Sequence, residues 1–414
     1  MTVGEAPRRI AVAEWSVALL ALGLLPGLYQ VLHPDGIGLG PGYEMAAIAR
    51  SLVEHGIFGD PFRSLPTGPT ATSPPLYPLF LALCIRVFKS PVLAVQVILL
   101  ANAAANALAA ALLPSVSMRL WRTPVPGIWG GVLSVATARL LPAWDASFTQ
   151  VGLILFCLFT TALQQRVSLG ARSGMFAGAS MGALFQLSQP SLMVTLPWTA
   201  LLLATERRRK RACIRFLASL AIAALAINMP WLARNYSLWG QLVTRTNFGY
   251  TFGASNNDCA ESSLLAELNS GCHGATHPDE NAAEAARLRE MGEPAYDRAR
   301  RQETWAWIST HPSRFWQLTG GRIVEFWFPA LEIPFWAGYA IWGITILSLP
   351  GMVLLMRERS AADYVIFAVF LLYPLPYYVV ISSVRYRTPV LWLTALVAGR
   401  FAASVYARWS QANN

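Results

Sequence analysis

Charge is what this chain lacks. Asp, Glu, Lys and Arg make up only 13% of its 414 residues, whereas soluble domains carry about 25%. With 55% hydrophobic residues and a mean hydropathy of +0.42, the deficit excludes an ordinary soluble domain. Together with long apolar runs, it predicts an all-α polytopic membrane protein. Acids are scarcer than bases, 22 against 32, for a formal net charge of +10. No motif or fold signal for nucleic acid accompanies that charge, so nucleic acid is not expected as a partner. The excess is assigned to cytoplasmic loops rich in Lys and Arg and to basic side chains facing anionic membrane lipids.

Other absences narrow the reading. Arg8 and Arg9 precede an apolar run over 10–32, and no small-residue cleavage site follows it. The run is also too long for a signal-peptide core, so it reads as an uncleaved first span with the N-terminus inside. Glycines 36, 38, 40 and 42 follow no strand, which removes a dinucleotide fingerprint and leaves a loop permitting close backbone approach. There are five cysteines. Cys84, Cys157 and Cys213 lie in or beside apolar runs and read as small hydrophobes. Cys259 and Cys272 share the one long polar stretch, where a disulfide is the natural reading if that stretch is extracytoplasmic. A zinc site from Cys272, His273 and His277 is the alternative, and its ligand spacing fits no usual pattern.

About ten spans are expected, at 10–32, 92–113, 127–141, 148–163, 174–187, 191–204, 212–232, 334–356, 361–382 and 388–406. Several are shorter than the ~20 residues of an independent span, so positive clusters must set the count. ERRRKR at 206–211, Arg119 with Arg122, Arg166 with Arg172, Arg357 with Arg359, and Arg408 belong to the cytoplasmic side. Parity then makes 127–141 and 148–163 a hairpin with PAWDAS outside, and makes LSQPS at 187–191 an outer turn. If 76–88 crossed, every later cluster would flip, so it reads as a juxtamembrane or partly inserted outer helix. Both termini fall inside. The chain divides into an N-terminal membrane module (1–232, with a first outer loop at 33–90), a large extracytoplasmic loop (233–332) and C-terminal spans (333–414). Segments 33–90, 142–147, 233–332 and 383–387 converge on one face. The large loop is expected to carry helices at 281–291 and 295–310, broken at Gly292 and Pro294.

The first outer loop holds the candidates for chemistry: Asp35, Tyr43, Glu44, Asp60 and Arg63. Residues 43–55 have Met45, Ile48, Ala49, Leu52 and Val53 in one stripe at helical spacing. An interfacial helix lying on lipid explains the stripe. Glu44 at its start suits a general base or a metal-linked acceptor clamp, and equally a simple helix-start charge.

GYEMAAIARSLVEHGIF, TGPTATSPPLYPLFLA, MPWLARNYSLWGQLV with FGASNN, GEPAYDRARRQETWAWISTHPSRFWQLTGGRIVEFW and RYRTP follow one another along nearly the whole chain. In that order they resemble the GT-C integral-membrane glycosyltransferases of the protein O-mannosyltransferase and aminoarabinose-transferase type, most closely the uncharacterised bacterial branch. The resemblance implies transfer of a sugar from a polyprenyl-phosphate to an acceptor hydroxyl, on a lipid or glycan, at the outer face of a bacterial inner membrane. It implies an acid beside the aromatic that opens the first-loop helix, for which Glu44 after Tyr43 is the nearest match and Asp35 stays open. Relatives often place a second acid in the next outer turn, where Gln150 stands here with Asp145 slightly earlier.

Such a reaction needs cations where the phosphate leaving group gathers charge and a base about 3 Å from the acceptor hydroxyl. Arg385, Arg387, Arg234, Arg322 and Lys89 are the outer-face candidates for the phosphate, although lipid headgroups would claim any one of them equally well. Glu44, Asp35 and Asp145 are the candidates for the base, and Tyr43, Arg63 and Tyr386 for further substrate contact. The sequence names no cofactor and leaves a divalent metal open. A transporter or flippase is the rival class, against which stand the lack of an internal repeat and of charge at span centres. A polymerase or ligase of lipid-linked glycans shares the same outline.

Overall fold

The structure, a computed structural model, describes residues 5–33, 44–137, 144–166, 169–330 and 335–413. Asp35 and Tyr43 lie outside the described residues. In the N-terminal half, α1 (Glu5–Leu32) is followed by the loop helices α2 (Glu44–His55) and α3 (Leu76–Val87), then by α4 (Pro91–Trp121), α5 (Val125–Val135), α6 (Asp145–Arg166), α7 (Ala171–Leu187), α8 (Leu192–Thr205) and α9 (Lys210–Trp239). The large loop contains α10 (Phe248–Ser255), α11 (Leu264–Ser270), α12 (Cys272–Thr276), α13 (Ala282–Met291), α14 (Glu293–Thr310) and α15 (Pro312–Trp327). The chain ends with α16 (Phe335–Glu358), α17 (Ala361–Leu372), α18 (Leu375–Tyr378) and α19 (Val384–Ala412). The protein is all-α and polytopic, and its described residues form isolated β-bridges but no strand.

Among the described residues each of the ten expected spans contains helix, and seven helical stretches are long and apolar enough to cross a membrane. α5, α7 and α8 fall short in length, with 11, 17 and 14 residues. A 3-10 turn at Gln189–Ser191 separates α7 from α8, so LSQPS is a turn and not a bend in one helix. α9 continues past the expected boundary at 232 and stops only at Gly240, whose φ of 64° suits the left-handed helix cap.

The bundle is held by close helix crossings. α1 packs on α4, α7 on α9, and α19 on α5 and α16. At the first crossing, a Cβ on Gly27 would meet Ala103 at 2.1 Å; at the second, one on Gly178 would meet the Leu220 carbonyl oxygen at 2.1 Å. Such approaches strengthen dispersion contacts where lipid gives no hydrophobic drive for helix association.

The stripe of α2 turns onto α3 and α4, where Ala46 and Ala49 are buried with Tyr77 and Leu81 of α3 and Ile98 of α4. α3 in turn packs on α4 and α7 and exposes Leu76, Leu79, Leu83 and Val87, an apolar outer face suited to partial insertion. Asn102 of α4, fully buried, donates to the Tyr77 hydroxyl at 3.0 Å and so ties the loop helix to the span.

The large loop is an ordered cap. α13 and α14 meet at Gly292, with Pro294 in the first turn of α14, close to the expected boundaries. Glu293 fastens this corner to the first outer loop: its carboxylate accepts from Ala71 N at 2.8 Å, from Thr246 Oγ1 at 2.6 Å and from Thr70 Oγ1. Burial is the main reason its pKa is pushed up to about 7. Cys259 and Cys272 form a disulfide, as the polar stretch suggested. On the other side, Ser255 Oγ accepts from Ile381 N at 2.8 Å and Asn256 Nδ2 donates to the Val379 carbonyl at 2.9 Å, joining the cap to the segment before α19.

Candidate active site

Between cap and bundle lies a cavity of about 750 Å³, within the range of roughly 300–1,000 Å³ usual for small-molecule sites. All four segments that parity set on one face contribute to its walls: Glu44 and Arg63 from the first loop, Trp144 and Asp145 from the start of α6, residues from Arg245 to Glu280 of the cap, and Ser383, Arg385 and Tyr386 at the start of α19. Ser188, Gln189 and Pro190 of the α7–α8 turn join them.

Glu44 is the best-defined acid there. It opens α2, and its Oε1 accepts from the Tyr250 hydroxyl at 3.3 Å. Burial raises its pKa above the usual glutamate range, against the pull of Arg385 and Arg245. The same burial, helped by the Glu44 charge, holds the Tyr250 phenol well above its ordinary value. His277 Nδ1 accepts from the Asp279 backbone N–H at 3.1 Å, which assigns the ring proton to Nε2, and Nε2 stands 3.9 Å from Glu44 Oε1. Burial, then the neighbouring His273, pushes the His277 pKa well below the ordinary value. The ring is therefore neutral at physiological pH and its approach to Glu44 is not an ion pair.

Arg385 and Arg245 both line the cavity. Arg385 lies over the Trp144 ring at 4.6 Å and donates from Nη2 to the Tyr386 hydroxyl at 3.0 Å. Its Nε is buried without a hydrogen-bond partner. Arg245 is fixed through Nε to the Thr72 carbonyl at 2.8 Å, and no other hydrogen bond of its guanidinium is found among the described residues. Both arginines act electrostatically on Glu44 and Asp145, yet among the described residues no ion pair within 4.0 Å joins either acid to either arginine. Arg63, by contrast, is engaged by Asp279 at 3.1 Å and by Glu280.

The sequence matches no family model and no curated protein. The structure is similar to that of the archaeal oligosaccharyltransferase AglB from Archaeoglobus fulgidus, in complex with an inhibitory peptide and a dolichol-phosphate, with a TM-score of 0.53 and 12% identity over 95% of this chain and 50% of that one. A structure of an Archaeoglobus fulgidus oligosaccharyltransferase with Zn and sulfate gives 0.54 and 11% over 94% and 49%. The chain has the GT-C fold. It spans about half the length of the oligosaccharyltransferase chains it matches.

Within this GT-C fold the residues expected from sequence separate into two groups. Glu44, Asp145, Arg63, Arg385 and Tyr386 meet at the cavity. Arg387, Arg322, Arg234 and Lys89 are not brought to it. Arg387 is buried on another side of α19, donating to the Trp327 carbonyl at 2.6 Å and to Thr345 Oγ1 at 2.7 Å. Arg322 clips the cap to the C-terminal segment through Asn256 Oδ1 at 3.0 Å, the Val379 carbonyl at 3.3 Å and the Ser255 carbonyl. Arg234 spans the Thr70 and Phe58 carbonyls, both at 2.7 Å. Lys89 is exposed beyond the end of α3. Asp60, with φ 52°, braces the first loop by accepting from Ser51 Oγ at 3.1 Å and Gly68 N at 2.7 Å. Gln150 is buried and does not line the cavity, so the acid of this turn that does is Asp145.

Sequence reasoning missed Arg245, Tyr250 and His277 as members of the site. FGYTF follows Arg245 in the sequence, but nothing local marks it as a partner of a glutamate two hundred residues earlier. Among the described residues no three His, Cys, Asp or Glu side chains are grouped to hold a metal ion.

Proposed function

We propose that this cavity transfers a sugar from a polyprenyl-phosphate to an acceptor hydroxyl, at the extracytoplasmic face of the cytoplasmic membrane. The observation that carries the reading is the pairing of two carboxylates, Glu44 and Asp145, with two arginines whose donor nitrogens are not used up by protein partners, all in one cavity. That set answers both demands of the reaction. Arg385 and Arg245 are poised for the phosphate oxygens, on which charge accumulates as the bond from the anomeric carbon to oxygen breaks. Glu44 takes the proton of the acceptor hydroxyl as its oxygen bonds to that carbon. Polyprenyl phosphate leaves, and the proton departs through Glu44. A dolichol-phosphate bound by AglB supports a lipid-phosphate ligand in this fold.

Tyr250 holds the Glu44 carboxylate in position through its hydrogen bond at 3.3 Å, and the neutral His277 stands beside it at 3.9 Å. The arginines compensate its charge in the absence of donor. Because burial raises its pKa, turnover is expected to rise with pH through a midpoint above the ordinary glutamate value. Membrane preparations presented with labelled polyprenyl-phosphate sugars test the activity by loss of the lipid donor. Retention of every donor tried would refute it.

A further inference from the structure

A carboxylate that this mechanism does not use stands in the same cavity. Glu267, on α11, lines the wall and is 1% exposed. Its Oε1 is buried without a hydrogen-bond partner, and among the described residues no ion pair reaches it. The cations of the proposed reaction do not act on it. Besides burial, the charges that act on it are those of Arg322 and the like-charged Glu261. Arg322 cannot turn to it freely, because Asn256, Val379 and Ser255 hold that guanidinium.

The helix that carries Glu267 is fixed from both sides. The bridge between Ser263 and Ser382 precedes it, and Leu264 N donates to the Ser382 carbonyl at 3.3 Å. The Cys259–Cys272 disulfide closes the segment around it. A buried polar atom left unpaired costs about 1–3 kcal/mol unless something satisfies it. Glu267 also lines the cavity, where a bound molecule can supply the partner.

We propose that Glu267 is a second subsite, which hydrogen-bonds a ring hydroxyl of a sugar in the cavity and so selects among sugar substrates. The proposal rests on the reading of the cavity as a polyprenyl-phosphate glycosyltransferase site. The hydroxyl belongs either to the transferred sugar or to a glycan acceptor, since both present the same chemistry. Burial holds the Glu267 carboxyl up to about 8, so near neutral pH it is mostly a carboxylic acid, able to give and to accept one hydrogen bond. A neutral polyol suits that form.

The test uses the full chain in nanodiscs with undecaprenyl-phosphate-linked hexoses and pentoses, and with methyl glycosides as acceptors. For any pair that turns over, KM and kcat are compared with analogues lacking one hydroxyl at a time, in wild type, Glu267→Gln and Glu267→Leu. Removing one particular hydroxyl is expected to raise the wild-type KM about tenfold or more, the scale of a lost buried hydrogen bond. Glu267→Leu should show the raised KM with the parent sugar and no further penalty from that deoxy analogue. Glu267→Gln, which keeps shape and one donor and one acceptor, should lie between them, and it carries the same comparison if the leucine variant does not fold. Whether the sensitive hydroxyl sits on donor or acceptor distinguishes the two sources. Unchanged KM in both variants, or an equal deoxy penalty in variant and wild type, overturns the subsite while leaving the transferase reading intact. Absence of wild-type turnover with every pair would overturn the transferase reading, and the subsite with it.

Discussion

Arg385 and Arg387 stand two residues apart at the start of α19 and have opposite surroundings. Residues at that spacing on a helix do not share a face. Arg385 therefore reaches the cavity, while Arg387 is anchored by the Trp327 carbonyl and Thr345. Their roles should separate in experiment. Arg385→Ala is expected to weaken donor binding by about 1.5–3 kcal/mol, the scale of a lost charge-assisted hydrogen bond, with little change in melting temperature. Arg387→Ala removes buried hydrogen bonds to the Trp327 carbonyl and Thr345 and the packing of a fully buried side chain, and should lower the melting temperature while the protein that remains folded keeps the wild-type donor KM. Glu44→Gln removes the base without changing shape. Its turnover should fall by about 10²–10⁴-fold while labelled donor still binds, and undiminished turnover would transfer the role to Asp145 or Asp35. Arg385 stood out in the sequence because it breaks the positive-inside trend, and Glu44 because of the early polar loop and the family resemblance; the structure brings both to one cavity. Arg245, Tyr250 and His277 break no such rule, and only the folding of the cap onto Glu44 gives them a role.

At the scale of elements, the sequence was most readable where periodicity and breakers coincide. α13 and α14 were legible because helix-forming residues run up to Gly292 and Pro294, and Gly292 with φ 75° supplies the conformation that ends one helix before the next begins. The apolar stripe of α2 was legible too, but its partner was not: a stripe suits lipid and another helix equally, and α3 took the place of lipid. Two predictions belong here. In the folded protein Glu293 titrates near 7, whereas unfolded it takes the ordinary value of about 4.5. Between those values the unfolded chain has released a proton that the folded one keeps, so stability falls as pH rises through that window and the loss is complete above it. Glu293→Gln cannot titrate. The melting temperature of wild type relative to this variant should therefore drop between about pH 4.5 and 7, and a parallel course for the two proteins would contradict the burial of that carboxyl. Replacing Cys259 and Cys272 by Ser opens a closure across 13 residues, which should cost about 2–4 kcal/mol and raise KM, since α11 and α12 carry cavity residues.

For the molecule as a whole, hydropathy placed helix in each of ten segments, of which seven are long and apolar enough to cross a membrane among the described residues. The short helices α5, α7 and α8 lie within the bundle rather than standing alone in lipid, so neighbours satisfy what length does not. Orientation is the part that packing does not reveal, and labelling reads it directly. A single cysteine at Arg208 is expected to react with an impermeant maleimide only after the membrane is opened, and one at the exposed Glu290 of the cap to react in intact cells. The reverse pattern would invert the topology.

The span of sequence enclosed by the cavity has a bearing on biosynthesis. Its walls run from Glu44 to Pro389, almost from one end of the chain to the other. During synthesis Glu44 and Asp145 emerge long before Arg385, whose charge acts on both. Until α19 is made, the two acids lack one of their compensating cations and the cap lacks Ser382 and Val379 to dock upon. The cavity is accordingly among the last parts of the protein to close. A nascent chain halted before 379 would lack the C-terminal segments that wall the cavity and hold the cap.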